Sequence, residues 1–355
     1  MSKSNNAPAT NLVASPNYGK ASKWDKAKRR INATIVNNIN GTFLQFRWYR
    51  SYWHYKLFGN KNKGVSKNIR QTHFLCEKPN YGAGIGHQLA NWNAGLYFAG
   101  YYNIRFAHYP FSTEKWESFL GFGEGEVKAM DLERDRKFKI VKLPRFNSMD
   151  KSEVDLIGKI IGSYRRKNIL FYLETDQGYK RQCDTADILS EKFFNAEARK
   201  KDKLIFSKDS FNIAVHIRRR MKIETEEVWL SRGLTNQFFA NALRNVLGVI
   251  HPDKKIEVYL FSQGAVEDFP EFKEFDNMHY CVDMGPIDSV LHMINADLLI
   301  SSKSSFSYKP ALISKGIKIC PETFWHAYPS TKDFIMADNN GKFDKEKLLA
   351  LPVNA

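Results

Sequence analysis

At 355 residues, with 43% hydrophobic and 14% aromatic content, the chain is long enough for two domains, each with its own core. The formal net charge is +16, yet residues 1–70 carry 14 Lys and Arg against one acid, Asp25, and so hold +13 of it; the rest is close to neutral. No run supplies the ~20 apolar residues of a membrane span, and residues 1–22 lack the apolar centre of a secretory signal. Cys76, Cys183, Cys281 and Cys320 lie far apart with no C-x-x-C or Cys/His cluster, so no metal is expected and reduced thiols are. Asn32 and Asn40 open glycosylation-type triplets, which without an export signal are read as chance.

Residues 1–22 read as a polar, disordered tail. From residue 23 the pattern turns helical, with Ala27, Ile31, Ile35 and Ile39 at i, i+4. Residues 43–58 mix aromatics and bases, and 60–67 read as a linker. The next stretch alternates strand and helix. Strands are expected at 72–76, 104–107, 139–143 and 168–173, and helices at 87–101, 116–120 and 186–200. A charged segment at 201–209 marks a domain boundary. Beyond it, strands are expected at 211–216, 257–262, 280–282, 297–301 and 317–320, and helices at 235–249, 287–295 and 305–314. Strands alternating with helices imply βαβ units on parallel sheets. The expected organisation is an extension over 1–66, an α/β domain over 67–205 and a second over 206–355.

Three segments carry candidate chemistry. Residues 82–88 read G-A-G-I-G-H-Q between a strand and a helix. Glycines there admit close backbone approach, and the helix start favours an anion. The spacing is not that of a dinucleotide fingerprint, and a tight turn needing positive φ would also use glycine. The second segment is an apolar strand that runs into His216, Arg218, Arg219 and Arg220. A buried strand cannot hold three guanidiniums, so they emerge at its C-terminal end, the edge where open α/β sheets bind ligands. Arginine there suits a diphosphate, and a strand ending on a solvated basic turn is the alternative reading. Glu224, Glu226 and Glu227 follow, any of which could act as a general base or simply balance the arginines. The third is residues 298–310, a core strand that ends in Ser301-Ser302-Lys303-Ser304-Ser305. Hydroxyls and free N–H groups at a helix start make a phosphate cradle, and are more than an N-cap requires.

Together these motifs resemble the fucosyltransferase superfamily that includes the α1,2-, α1,6-, protein O- and nodulation fucosyltransferases. The counterparts stand as Gly84-Ile-Gly86-His87-Gln88, His216-Ile-Arg218-Arg219 and Ser304-Ser305-Phe306-Ser307, in the family's order. The resemblance implies a GT-B-like α/β fold, with two Rossmann-like domains facing a crevice, and inverting, metal-independent transfer of fucose from GDP-fucose to a glycan hydroxyl. It implies that Arg218 binds the β-phosphate with Arg219 in support, that His216 sits near the nucleotide, and that Ser304, Ser305, Phe306 and Ser307 line the phosphate and base site. Gly84, Gly86 and His87 would roof the sugar. Glu226 would be the catalytic base, with Glu224 the alternative. Met221, Gln263 and His87 depart from the family's pattern, which leaves a different nucleotide sugar as the second reading.

The aromatic and basic residues at 43–58, with Trp48, Trp53, Arg47, Arg50 and Lys56, suit an anionic membrane surface. A peripheral anchor over 23–58 on a cytoplasmic protein would hold the enzyme near a glycan or glycolipid acceptor. Alternatively the segment packs on the body. A basic nucleic-acid-binding protein is the reading of another class, and it leaves all three motifs unexplained. A sugar-binding module without catalysis is the third.

Overall fold

A computed structural model of the chain describes residues 23–59, 71–81, 83–174, 181–220, 225–282 and 284–351. The expected tail at 1–22 and linker at 60–67 lie outside them, as do Gly82, Met221 and Glu224.

The first half comprises α1 (Lys23–Ile39), α2 (Arg50–Phe58), β1 (His73–Glu77), α3 (Ile85–Tyr101), β2 (Arg105–Phe106), α4 (Glu114–Leu120), α5 (Ala129–Arg134), β3 (Lys139–Lys142), α6 (Lys151–Gly162), β4 (Ile169–Leu173) and α7 (Ala186–Asn195). Its four strands form one parallel sheet in the order β2-β1-β4-β3. All five residues of β1 are buried, as expected of a central parallel strand covered on both faces. The sequence reading assigns no element to 151–162. There Asp150 caps α6 by accepting from the Ser152 and Glu153 N–H groups, at 2.8 and 3.4 Å, and Val154, Ile157, Ile160 and Ile161 turn inward. The helix expected over 186–200 ends at Asn195, and Glu197–Lys201 continues as a 3-10 turn.

The second half comprises β5 (Ser210–His216), α8 (Glu226–Arg232), α9 (Asn236–Leu247), β6 (Lys255–Phe261), β7 (Met278–Cys281), α10 (Pro286–Asn295), β8 (Leu298–Ile300), α11 (Ser305–Ile313), β9 (Ile317–Pro321), β10 (Phe334–Ala337) and α12 (Lys345–Leu349). Its strands form a six-stranded parallel sheet, β10-β9-β8-β5-β6-β7. β5 lies in the middle, with Val215 opposite Ile300 and His216 opposite Phe261. The four-residue β10 and the helices α5, α8 and α12 are not anticipated by the sequence reading. Two parallel α/β layers are thus present, the architecture that the motifs implied.

The two halves are joined by core rather than by a linker alone. One apolar cluster takes Ile85, Leu89, Trp92, Phe119 and Phe193 from the first half, and Ala214, Phe261, Leu291 and Tyr308 from the second. α11 packs against both α3 and α7. The N-terminal segment also packs on the body. Ser51 Oγ donates to Lys142 O at 2.7 Å, Tyr49 Oη donates to Glu174 Oε2 at 2.8 Å, and the His54 ring stacks on Tyr164 at 3.9 Å.

Phe193 is fully buried in the shared cluster, edge-on to Phe119 and beneath the Arg199 guanidinium. Phe193→Ala is expected to cost about 3–5 kcal/mol, as large aromatic truncations do. Urea unfolding would show this as a lower midpoint; an unchanged midpoint would mean that the cluster does not join the halves.

Candidate functional site

The site begins where β5 runs out of apolar residues. Ile213, Ala214 and Val215 are fully buried, His216 is 7% exposed, and the chain then turns toward solvent with Arg218 and Arg219. Two serines from neighbouring strand ends hold that turn. Ser302 Oγ donates to His216 O at 2.6 Å and accepts from Arg218 N at 3.0 Å. Ser262 Oγ donates to Ile217 O at 2.7 Å. The serine-rich segment therefore fixes the backbone that carries the guanidiniums.

The same segment opens α11. Ser304 is its N-cap and accepts from Phe306 N at 3.2 Å. Ser307 is fully buried, and its hydroxyl accepts from Ser302 N at 3.1 Å. The Ser304 hydroxyl takes the Phe306 N–H and the Ser304 carbonyl takes those of Ser307 and Tyr308, so this end contributes mainly the positive potential of the helix dipole.

The glycine segment approaches from the other half. Gly84 caps α3 in an extended conformation with φ −62°, so positive φ is not its role. Gly86 is needed for space: a Cβ there would lie 2.7 Å from Ser305 Cβ and 3.1 Å from the Ser305 carbonyl. The starts of α3 and α11 thus meet backbone to backbone. Gln88 fixes the glycine segment by donating to Ala83 O at 2.9 Å and Ser112 Oγ at 2.8 Å, and by accepting from Ser112 N at 2.9 Å.

These pieces enclose a cavity of about 410 Å³. His216, Arg218, Arg219, Ser304, Ser305, Phe306, Gly84, Gly86 and His87 all line it. Of the expected donor-site residues only Ser307 does not, and it supports the wall from below. Gln263 lines the cavity as well. Glu226 does not: it is exposed at the start of α8 and ion-paired with Arg220. Among the described residues that line the cavity, none is acidic.

Arg232 and Trp325 line the cavity without having been expected; the Arg232 guanidinium lies 5.0 Å over the Trp325 ring. An arginine at the end of a short, mostly exposed helix carries no local mark of function. Trp325 sits in a run with Phe324, His326 and Tyr328, an aromatic cluster that could have drawn notice. Arg219 is partly committed, donating to Asn236 Oδ1 at 3.0 Å and Asp268 O at 3.1 Å and lying 4.3 Å over Phe269.

Electrostatically the cavity is one-sided. Burial, and then the charge of Arg218, push the His216 imidazole down to a pKa of about 3, so it is neutral at physiological pH. Partial burial, Arg232 and Lys309 lower His87 as well. A neutral His216 leaves the positive charge on the arginines, which cannot lose theirs. Arginines, a helix start and no carboxylate suit a ligand of two or more negative charges. No group of three or more His, Cys, Asp or Glu able to hold a metal occurs among the described residues.

No family model and no curated protein matches the chain. Among solved structures it is similar to the fucosyltransferase NodZ from Bradyrhizobium, with 10% identity over 69% of this chain and 94% of that one, at a TM-score of 0.40. An Arabidopsis thaliana FUT1 variant in complex with GDP is 10% identical over 86% and 80%, at a TM-score of 0.41. The E. coli heptosyltransferase WaaC with ADP is 11% identical over 76% and 94%, at a TM-score of 0.39.

Because the folded state holds His216 far below its ordinary pKa, protonation favours the unfolded chain. The contribution is present above about pH 6.5 and is lost as pH falls toward 3, at up to about 1.4 kcal/mol per pH unit. His54 and His87 shift the same way. Urea unfolding of wild type and His216→Gln at neutral and mildly acidic pH should therefore give a shallower acid loss in the variant. Equal slopes would place a charged histidine at the end of β5.

Proposed function

We propose that the protein is a glycosyltransferase of GT-B architecture that transfers a sugar from a nucleoside diphosphate donor, GDP-fucose in the first instance, to a hydroxyl of a glycan or glycolipid. The observation that carries this reading is the cavity: Arg218, Arg219, Arg232 and the start of α11 converge, no described lining residue is acidic, and backbone from the opposite half closes over them. The order and spacing of the three motifs support the choice of donor. On this reading residues 206–355 bind the nucleotide and residues 67–205 face the acceptor.

The bond between the sugar's anomeric carbon and the diphosphate oxygen breaks while the acceptor oxygen bonds to the opposite face. The departing diphosphate gathers negative charge. Arg218 and Arg232, with the positive end of the α11 dipole, supply positive potential that is already in place, the form of stabilisation that requires no metal. Arg219, held by Asn236 and Asp268, sets the field more than it moves. Ser305 and Phe306 hold the phosphate and base, and Gly84, Gly86 and His87 roof the sugar. The acceptor's proton passes to a carboxylate, for which we propose Glu226, oriented by Arg220, with Glu224 as the alternative.

A second reading keeps the chemistry and changes the donor. The wall formed by Ser262, Gln263, Met284 and Ser289 is neutral, so it carries no described acid for a purine's N–H groups. This favours testing other nucleoside diphosphate sugars beside GDP-fucose.

Calorimetry with GDP, UDP, ADP and GDP-fucose in EDTA should show selective, metal-independent GDP binding. Arg218→Ala should weaken it by at least about thirtyfold, as truncating a buried charged partner does. Preference for UDP or ADP would remove fucose, and absence of any nucleotide binding would remove the transferase reading.

Glu226→Gln should lower kcat by about 10²–10⁴-fold and leave GDP affinity unchanged, which a radiolabelled-sugar transfer assay with a glycan acceptor panel would read. Unchanged turnover would assign the base elsewhere.

A further inference from the structure

We propose that a groove between the N-terminal helices and the edge of the first sheet docks the protein onto an anionic phospholipid bilayer. This groove is lined by residues other than those of the nucleotide cavity, and its reading does not rest on the glycosyltransferase assignment. It is bounded by α1, α2 and the edge strand β3, has a volume of about 660 Å³, and continues into a second depression of about 350 Å³ through His54, Phe58, Lys139 and Tyr164.

α2 is two-faced. Its inner side is fixed by Ser51 to Lys142 and by His54 to Ser163 and Tyr164. Its outer side leaves Trp53 and Leu57 at 50% and 68% exposure, while Phe58, against the His54 ring, is 53% exposed at the end of the inner side. Trp48 and the edge-strand Ile140 line the same groove at 50% and 41%. Phe43 and Leu44 are exposed on the turn that leads into α2. Single exposed apolar residues are ordinary, but a contiguous patch of this kind marks an interaction surface. Trp53 Nε1 donates to Arg47 O at 2.8 Å, so the indole's polar edge is satisfied within the chain and its apolar face is offered outward.

The rim is cationic. Arg50, Lys139, Lys142, Arg165 and Arg166 line the two depressions and are exposed. Glu174 is the one acid among the described lining residues, and it accepts the Tyr49 hydroxyl. Aromatic and aliphatic side chains on the floor with Lys and Arg on the rim complement acyl chains and lipid phosphates. A protein partner fits less well, because lysine is depleted at the centre of such interfaces, and β3 is a short strand with a lysine at each end that discourages strand pairing. Nucleic acid would use the aromatics and cations, but not Leu57, Ile140 and Val36. None of the described helices is long and apolar enough to cross a membrane, so contact is with the surface.

The test is co-sedimentation of the full chain with vesicles of phosphatidylcholine alone and of phosphatidylcholine mixed with phosphatidylglycerol, with quenching of tryptophan fluorescence by brominated acyl chains. Binding and quenching are expected only with the anionic vesicles, weakening with salt. Lys139→Gln, Lys142→Gln and Arg166→Gln should each weaken binding about fivefold. Trp53→Ser with Leu57→Ser should weaken binding more than about tenfold and reduce quenching, leaving at most the Trp48 contribution. All these residues are exposed, so circular dichroism should be unchanged. No binding to anionic vesicles, binding equal in all variants, or binding to single-stranded RNA without vesicle binding would each overturn the proposal. GDP calorimetry on the same samples reads the cavity separately, so failure of lipid docking and failure of the transferase reading are told apart.

Discussion

The arrangement depends on one steric constraint: the starts of α3 and α11 must approach until backbone touches backbone. Gly86 makes this possible, because any side chain there would collide with Ser305. The contact sets two helix N-termini side by side above the central strand β5, and so builds a single region of positive potential from both halves of the chain. The apolar cluster that runs from Phe193 through Trp92 to Tyr308 then locks that geometry in place. Beneath the contact lies Lys309, buried on α11, whose ammonium reaches Gln182 just before α7. Burial pushes its pKa down to about 7, so its charge is held at a cost that the Gln182 contact only partly offsets. A polar tie at that depth fixes register between helices more than it adds stability.

The cavity's chemistry follows from how its charges are held. Arg218 rides on a turn whose backbone is bonded to Ser302, and Ser302 itself belongs to the segment that starts α11. The backbone that carries Arg218 is therefore tied to the segment that starts α11. In the proposed transfer, a field already in place when a leaving group gathers charge would need no reorganisation. Neutral His216 contributes by not competing: a charged imidazole beside Arg218 would raise the energy of the empty site.

Much of this was legible in the sequence because it depended on local pattern. The apolar runs of β5 and β6 could hardly be anything but buried parallel strands, and residues at their C-terminal ends had to face a ligand edge. The glycine segment was read as a ligand approach or a positive-φ turn; Gly86 turns out to answer a contact 219 residues away in sequence, which no local rule contains. Arg232 was invisible for the same reason. α6 was legible and passed over: Asp150 followed by Val154, Ile157 and Ile161 is a capped amphipathic helix. The short β10 carries too few residues for alternation to show.

The basic extension shows why composition alone misleads. Its charge suggested a segment apart from the body, whereas Tyr49, Ser51 and His54 bind it to Glu174 after β4, Lys142 in β3 and Ser163 and Tyr164 after α6, through hydrogen bonds and a ring stack. Only one side of α2 is used in this way. Had the whole helix served as core, Trp53 and Leu57 would have turned inward with His54 and Phe58; had it been a free tether, the hydrogen bonds to Lys142 and Glu174 would not exist. A helix clamped on one face and apolar on the other is a rigid surface. If the proposed docking holds, such a surface would present the cavity on the same body to the bilayer at a fixed height and angle.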